Sequence, residues 1–311
     1  MSLQGSSGEV RILHDVGLTC AAGEIVAIVG ESGSGKTLTA LSIIGMLPKS
    51  GKVSGSIRFE DKEIVGLPEP RLRALRGSLI SMIFQNPRGS LNPALRIGSQ
   101  MIEVIRRNDR SASKTDARER AARLLDRLDL RDPEQCLNHF PHQLSGGMCQ
   151  RIALAIALSG VPRMIIADEP TTALDVVVQA GTLALLKRIC VDQDLGLIIV
   201  THDLGVVRSI ADRVVVMYAG EVVESGTVDA VLATPSHPYT AALIAALPSD
   251  DSGRERLKPI DGMPPDPARY PRGCRFAPRC SLARAECATP PEATARATGS
   301  LVKCHFPLLA A

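Results

Sequence analysis

The sequence predicts an α/β chain built on a mostly parallel sheet with helices, followed by an irregular extension. Three observations predict it. Ile25–Val29, Met164–Ala167 and Leu197–Val200 are continuous apolar runs of strand length, as expected for central parallel strands whose two faces are both covered. Each run ends at a glycine turn or at polar residues, where open α/β sheets place their ligands. Near residue 248 the composition shifts, and eight of the 21 prolines fall between Pro259 and Pro291. The expected division is therefore residues 1–248 and an extension over 249–311.

In order along the chain, Gly30 breaks the first strand and a helix should start at Lys36. Residues from about 86 to 158 read mostly as helix. Within them Ser113-x-x-Asp116 forms a plausible capping box, and Ala117, Ala121, Leu124, Leu125 and Leu128 recur at helical spacing. Val214–Met217 and Glu221–Glu224 flank Ala219-Gly220 and read as a hairpin. The prolines of the extension exclude a regular helix or a central strand, so that segment would bury little core unaided and needs a staple.

Composition excludes several function classes. Lys plus Arg number 36 against 33 Asp plus Glu, a net charge of +3, too small for nucleic-acid binding by bulk charge. Aromatics are 3% with no Trp, which removes stacking platforms for bases. Hydrophobic residues at 45% and charged residues at 22% are an ordinary globular mix. No run of about 18 apolar residues appears and residues 1–25 lack a signal-peptide pattern, so the expectation is a chain that stays in the cytosol. There thiols stay reduced, and Cys20, Cys136, Cys149 and Cys190 read as small hydrophobes.

Gly30-Glu31-Ser32-Gly33-Ser34-Gly35-Lys36-Thr37 fits the phosphate-loop pattern G-x-x-x-x-G-K-[ST], between a strand and a helix as its mechanism requires. The glycines let backbone N–H groups wrap phosphates at a helix N-terminus. Lys36 would neutralise β- and γ-phosphate charge, and Thr37 would ligate Mg²⁺. The run Met164–Ala167 ends in Asp168-Glu169, which suits one carboxylate for the metal, Asp168, and one to polarise an attacking water, Glu169. An apolar run closed by Asp-Glu is by itself an ordinary strand end. Its place after a phosphate loop gives the pair meaning. Leu144-Ser145-Gly146-Gly147 offers a hydroxyl and free N–H groups at a helix start, a second phosphate binder or an ordinary N-cap. One chain rarely needs two such sites unless this one completes the nucleotide site of a partner chain.

With Gln85 after the strand Leu79–Phe84, Ala173-Leu174-Asp175, and His202 after Leu197–Val200, six motifs stand in order. The chain thereby resembles the nucleotide-binding subunit of ATP-binding-cassette transporters. That resemblance implies an ABC-type P-loop ATPase core with an antiparallel β subdomain and a helical subdomain at about 86–158, using ATP and Mg²⁺. It implies that Gln85 touches Mg²⁺ or senses the γ-phosphate and communicates with a membrane partner. By the same resemblance His202 contacts the γ-phosphate, Asp175 lies in the dimer-contact loop, and Ser145, Gly146 and Gly147 close the opposite site.

Three further segments are similar to the D-type ATPase subunits of dipeptide and oligopeptide importers. They are Phe84–Pro93, Ala167–Asp175, and His237-Pro238-Tyr239-Thr240 followed by Leu247-Pro248. Nickel and glutathione importers share much of this. The likeness runs from about residue 10 to 308. The implied partners are a related but distinct second ATPase, two transmembrane permease subunits and an extracytoplasmic solute-binding protein, with the chain on the cytosolic face of the inner membrane. Relatives usually carry an adenine-stacking aromatic about 20 residues before the phosphate loop. Here Gly8-Glu9-Val10-Arg11 stands in that region and no aromatic precedes Phe59. Val10 or Arg11, a partner chain, or a late start relative to the relatives would account for this.

Cys274, Cys280, Cys287 and Cys304 crowd the proline-rich extension and could supply its staple through a metal. Zinc and an iron–sulfur cluster both accept four Cys, and the spacing fits neither a short knuckle nor the common ferredoxin pattern. The resemblance favours a [4Fe–4S] cluster, with zinc as the alternative. Arg269, Arg272, Arg275, Arg279 and Arg284 read as a solvated rim whose charge would favour thiolates. Two other functions compete. A soluble cassette ATPase of DNA repair or translation would typically carry a coiled-coil insert or tandem cassettes, and neither is visible. An iron–sulfur redox or sensor protein would not need Glu169 and His202 intact.

Overall fold

The computed structural model describes residues 1–5, 8–171, 176–246 and 259–308. They group into two compact units, Met1–Thr19 with Val26–Val65 and Thr201–Ala311, and Cys20–Ile25 with Gly66–Val200. No described helix is long and apolar enough to cross a membrane.

The first unit opens with β1 (Ser2–Gly5), β2 (Gly8–Arg11), β3 (Ile25–Val29), α1 (Lys36–Ile43), β4 (Gly51–Lys52), β5 (Arg58–Phe59) and β6 (Lys62–Glu63). Two small antiparallel assemblies, β2-β1-β4 and β5-β6, supply the expected antiparallel element. All five residues of β3 are buried, the condition that makes a strand read as an unbroken apolar run.

The second unit contains α2 (Glu69–Leu75), β7 (Ile80–Ile83), α3 (Pro87–Ser90), α4 (Ile97–Asn108), α5 (Lys114–Arg127) and α6 (Pro133–Asn138). It continues with α7 (Gly146–Leu158), β8 (Met164–Asp168), α8 (Val176–Gln193) and β9 (Gly196–Val200). β7, β8 and β9 pair in parallel in that order. The helices expected between residues 86 and 158 are present. Ser113 Oγ accepts from Asp116 N at 3.1 Å and Asp116 Oδ2 accepts from Ser113 N at 3.2 Å, closing the capping box of α5. Ala117, Ala121, Leu125 and Leu128 are buried, with Leu124 at the margin of the stripe.

The first unit resumes with α9 (Leu204–Ile210), β10 (Arg213–Tyr218), β11 (Glu221–Thr227), α10 (Val228–Leu232), α11 (Pro238–Ala245), β12 (Ala293–Ala295) and β13 (Leu301–Lys303). β10 runs parallel to β3, and the hairpin β10–β11 turns at Ala219 (φ 47°) and Gly220 (φ 81°). Two successive positive φ values match the right-handed twist of the flanking strands. A side chain at Gly220 would collide with the Ile12 carbonyl, so the turn also lets β10–β11 approach the N-terminal segment.

Two expectations for the extension need correction. β13 pairs with β11 on one side and β12 on the other, so the extension does contribute a strand paired on both edges. No proline falls between Pro291 and Pro307, which leaves the β13 amides free to pair. Nor are the arginines uniformly a solvated rim. Arg275 is 7% exposed, donates to the Ala219 carbonyl, and sits 4.0 Å over the Tyr270 ring. Arg284 lies 4.4 Å over Phe306. Phe276, 3% exposed, packs edge-on to Tyr218 and Tyr239 with centroids 5.3 and 5.4 Å away. These aromatic contacts give the extension an apolar anchor within the first unit.

Candidate functional site

In the first unit the phosphate loop has the form its sequence requires. Gly30 (φ 150°) leaves β3 where a Cβ would strike the Met217 carbonyl, and Gly35 (φ 101°) caps α1 in the left-handed region. Lys36, 7% exposed, starts the helix and donates from Nζ to the carbonyls of Gly30 (2.8 Å) and Glu31 (2.9 Å). The ammonium thus lies across the mouth of the loop. Ser34 is buried, and its Oγ has no partner among the described residues. Ser32, Gly33 and Thr37 are exposed. Thr201 N donates to Ile28 O of β3 at 3.1 Å, which brings the exposed His202 to the same strand end as the loop. Asp203 then caps α9 by accepting from Gly205 N and Val206 N.

The second unit holds the carboxylates. Asp168, 4% exposed, ends β8 in register with Val200. Glu169 then turns with φ 46° while its N–H donates to Val200 O at 2.8 Å. A left-handed glutamate costs about 1–2 kcal/mol, and such strain collects where a side chain must be aimed. Gln85 Nε2 donates to Glu169 Oε2 at 2.7 Å, so Gln85 and Glu169 are brought together although 84 residues separate them. Ser145 is the N-cap of α7, its Oγ accepting from Met148 N at 3.3 Å. Ser145 and Gly146 are exposed and Gly147 half-buried, which leaves this helix start facing outward. Arg88, just past Gln85, donates to the Leu144 carbonyl at 2.8 Å and ties the glutamine segment to the Ser-Gly-Gly turn. Asp175 lies outside the described residues.

Cys274, Cys280, Cys287 and Cys304 line one cavity together with His237, Phe276, Leu282 and Phe306. Burial pushes the thiols of Cys274, Cys280 and Cys304 up, the last to about 11, and the neighbouring cysteines push in the same direction. For these three thiols burial is the leading influence, and it opposes the thiolate form that the arginines were expected to favour. Arg275 and Arg279 spend their charge on Glu221 and Glu31 instead. His237 is 1% exposed; its Nδ1 accepts from Tyr239 N at 3.0 Å, and burial lowers its pKa to about 3. Its Nε2 is buried without a partner among the described residues. Four cysteine sulfurs thus share one apolar-walled cavity, and because His237 Nδ1 accepts, its Nε2 carries the ring proton as a donor without an acceptor among the described residues. Among the described residues, no three His, Cys, Asp or Glu side chains cluster closely enough to hold a single metal ion.

Sequence reasoning gave Tyr239 no role and placed Arg279 in a solvated rim, whereas its side chain is 4% exposed. Tyr239 Oη accepts from Glu31 N at 2.9 Å, and Arg279 pairs with the Glu31 carboxylate at 2.6 Å. The His-Pro-Tyr-Thr stretch was visible as a pattern, but nothing local tied it to the loop. From the extension, Tyr270 meets His14 of the N-terminal segment edge-on at 5.9 Å.

Comparison with known proteins identifies the family. The ABC transporter family model matches residues 13–172, and the model of the oligopeptide/dipeptide transporter C-terminal region matches residues 223–287. The oligopeptide transport ATP-binding protein AppD of Bacillus subtilis (strain 168) is 47% identical over 287 residues, 91% of this chain and 87% of its own length. The oligopeptide transport ATP-binding protein OppD of Salmonella typhimurium is 44% identical over 301 residues, 97% of this chain and 90% of its own. Among solved structures, the post-hydrolysis dimer of the ATP-binding cassette MJ0796 bound to ADP and Pi superposes with a TM-score of 0.66 at 30% identity, covering 73% of this chain and 95% of that one. On these motifs, this fold and these similarities, the chain belongs to the ABC transporter family, as an ATPase subunit of the branch that carries the oligopeptide/dipeptide transporter C-terminal region.

Proposed function

We propose that this ATPase drives import of dipeptides or oligopeptides from the cytosolic face of the inner membrane, as one half of a dimer with a related second ATPase. Two permease subunits and an extracytoplasmic solute-binding protein complete the assembly. Residues 1–248 form the ATPase, with the helical subdomain at about 86–158, and residues 249–311 form the extension. The observation that carries the catalytic reading is the Gln85–Glu169 hydrogen bond. It aims the carboxylate left by the sharp turn after β8 and joins it to the segment that leads into α3.

In this reading the N–H groups of Gly30 to Thr37 and the Lys36 ammonium hold the triphosphate. Thr37, Asp168 and Gln85 hold Mg²⁺, which when bound offsets phosphate charge. Glu169 accepts a proton from the attacking water and His202 contacts the γ-phosphate. Ser145, Gly146 and Gly147, exposed at the start of α7, complete the partner's nucleotide site, and Asp175 belongs to the contact loop. The test is uptake of a labelled dipeptide and a labelled longer peptide in cells lacking this chain. The wild-type chain should restore uptake of at least one of them and the Glu169→Gln variant of neither. Restored uptake of nickel or glutathione without peptide would overturn the peptide assignment.

For the extension we infer that Cys274, Cys280, Cys287 and Cys304 hold a [4Fe–4S] cluster, supported by the shared cavity and the unpartnered His237 Nε2. The cluster would supply four metal–sulfur cross-links to a segment poor in core, at the cost of releasing the protons that burial holds on the thiols. Anaerobically purified full-length chain should contain iron and acid-labile sulfide in equal amounts. Zinc without sulfide would refute the cluster.

A further inference from the structure

The extension reaches the phosphate loop. Arg279, the residue before Cys280, places its guanidinium against Glu31, the second residue of the loop. Nη1 donates to Oε2 at 2.6 Å and Nη2 to Oε1 at 3.0 Å. Two parallel charge-assisted hydrogen bonds fix orientation as well as distance. The Arg279 side chain is 4% exposed, so water screens the pair weakly.

Both ends of the pair are themselves held. The guanidinium also donates from Nε to Asp261 O at 2.8 Å, from Nη2 to Ile260 O at 3.2 Å, and from Nη1 to Tyr218 Oη at 3.3 Å. Glu31 has its N–H on Tyr239 Oη at 2.9 Å and its carbonyl on Lys36 Nζ at 2.9 Å. One loop residue is thus gripped at its side chain by the extension, at its N–H by α11, and at its carbonyl by the phosphate-binding lysine. A loop that binds phosphate through aligned N–H groups binds only while it is formed. Its apparent affinity scales with the fraction of molecules that have it formed.

We propose that Arg279 is a positioning residue for nucleotide binding: by clamping Glu31 it keeps the phosphate loop in its ATP-accepting shape, which makes the C-terminal extension a brace of the ATP site. Arg279 acts through Glu31 and touches no nucleotide. Coupling of this kind is reciprocal, so ATP held by the loop must in turn steady the extension around Cys280.

The test uses the full-length chain and Mg-ATP. Arg279→Gln should weaken Mg-ATP binding, measured by calorimetry, by about ten-fold, the scale of a lost charge-assisted pair. Arg279→Lys should recover part of the loss, because it keeps the charge without the fork. Glu31→Gln should match Arg279→Gln, and the double variant should be no weaker than either single one, since the two groups act through each other. Amide hydrogen exchange over residues 274–282 should slow when Mg-ATP is added to the wild type but not to Arg279→Gln. Glu31→Gln leaves the extension's own residues intact and keeps the test decisive if Arg279→Gln misfolds. Affinity within two-fold of wild type in the soluble single variants, additive losses in the double variant, or exchange protection that survives in Arg279→Gln would overturn the proposal.

Discussion

Replacing Glu169 by Gln is expected to lower ATP turnover by about 10³-fold while Mg-ATP still binds, because removal of a general base costs catalysis and not ligand contacts. The substitution is nearly isosteric. An amide at position 169 can still accept the Gln85 Nε2 hydrogen bond that measures 2.7 Å in the wild type, so the turn after β8 keeps its aim. What disappears is the ability to take a proton. In the assembled transporter the variant should accumulate an ATP-bound, closed dimer, detected as nucleotide retained through gel filtration. Hydrolysis at even a tenth of the wild-type rate would remove Glu169 from the proton-accepting role.

Lys36→Ala is expected to fail one step earlier, weakening Mg-ATP binding by about 10²-fold, the effect of losing charged hydrogen bonds to an anionic ligand. The buried ammonium also bridges the Gly30 and Glu31 carbonyls at 2.8 and 2.9 Å, so the alanine variant loses the cross-link that closes the loop on itself. The two variants separate cleanly in a filter-binding assay with labelled ATP: Glu169→Gln retains the label and Lys36→Ala does not. Equal retention by both would show that Lys36 does not hold the phosphates.

Much of this site is legible in the sequence because it is written locally. The phosphate loop needs glycine at the positions that take positive φ, and the strand before it needs five buried apolar residues. The capping box of α5 and the turn at Ala219-Gly220 likewise occupy a few consecutive residues whose chemistry admits few alternatives. The order of motifs gives Gln85 and Glu169 separate roles at one nucleotide site, but nothing in the sequence announces the hydrogen bond between them. The brace was illegible. Glu31 and Arg279 are 248 residues apart, and an arginine in a proline-rich polar segment carries no local sign of the carboxylate it will meet. β13 was missed for a related reason: three residues have too little pattern to announce a strand, and only the open edge of β11 makes them one.

That edge has a practical consequence for anyone shortening the chain. β11 is flanked by β10 and β13, so a cut anywhere in the proline-rich stretch strips one side of it and bares a row of unsatisfied amides and carbonyls. Bare edges recruit strands from other molecules. Clipped material should therefore betray itself first as precipitate on storage, before any assay of nucleotide chemistry registers the damage.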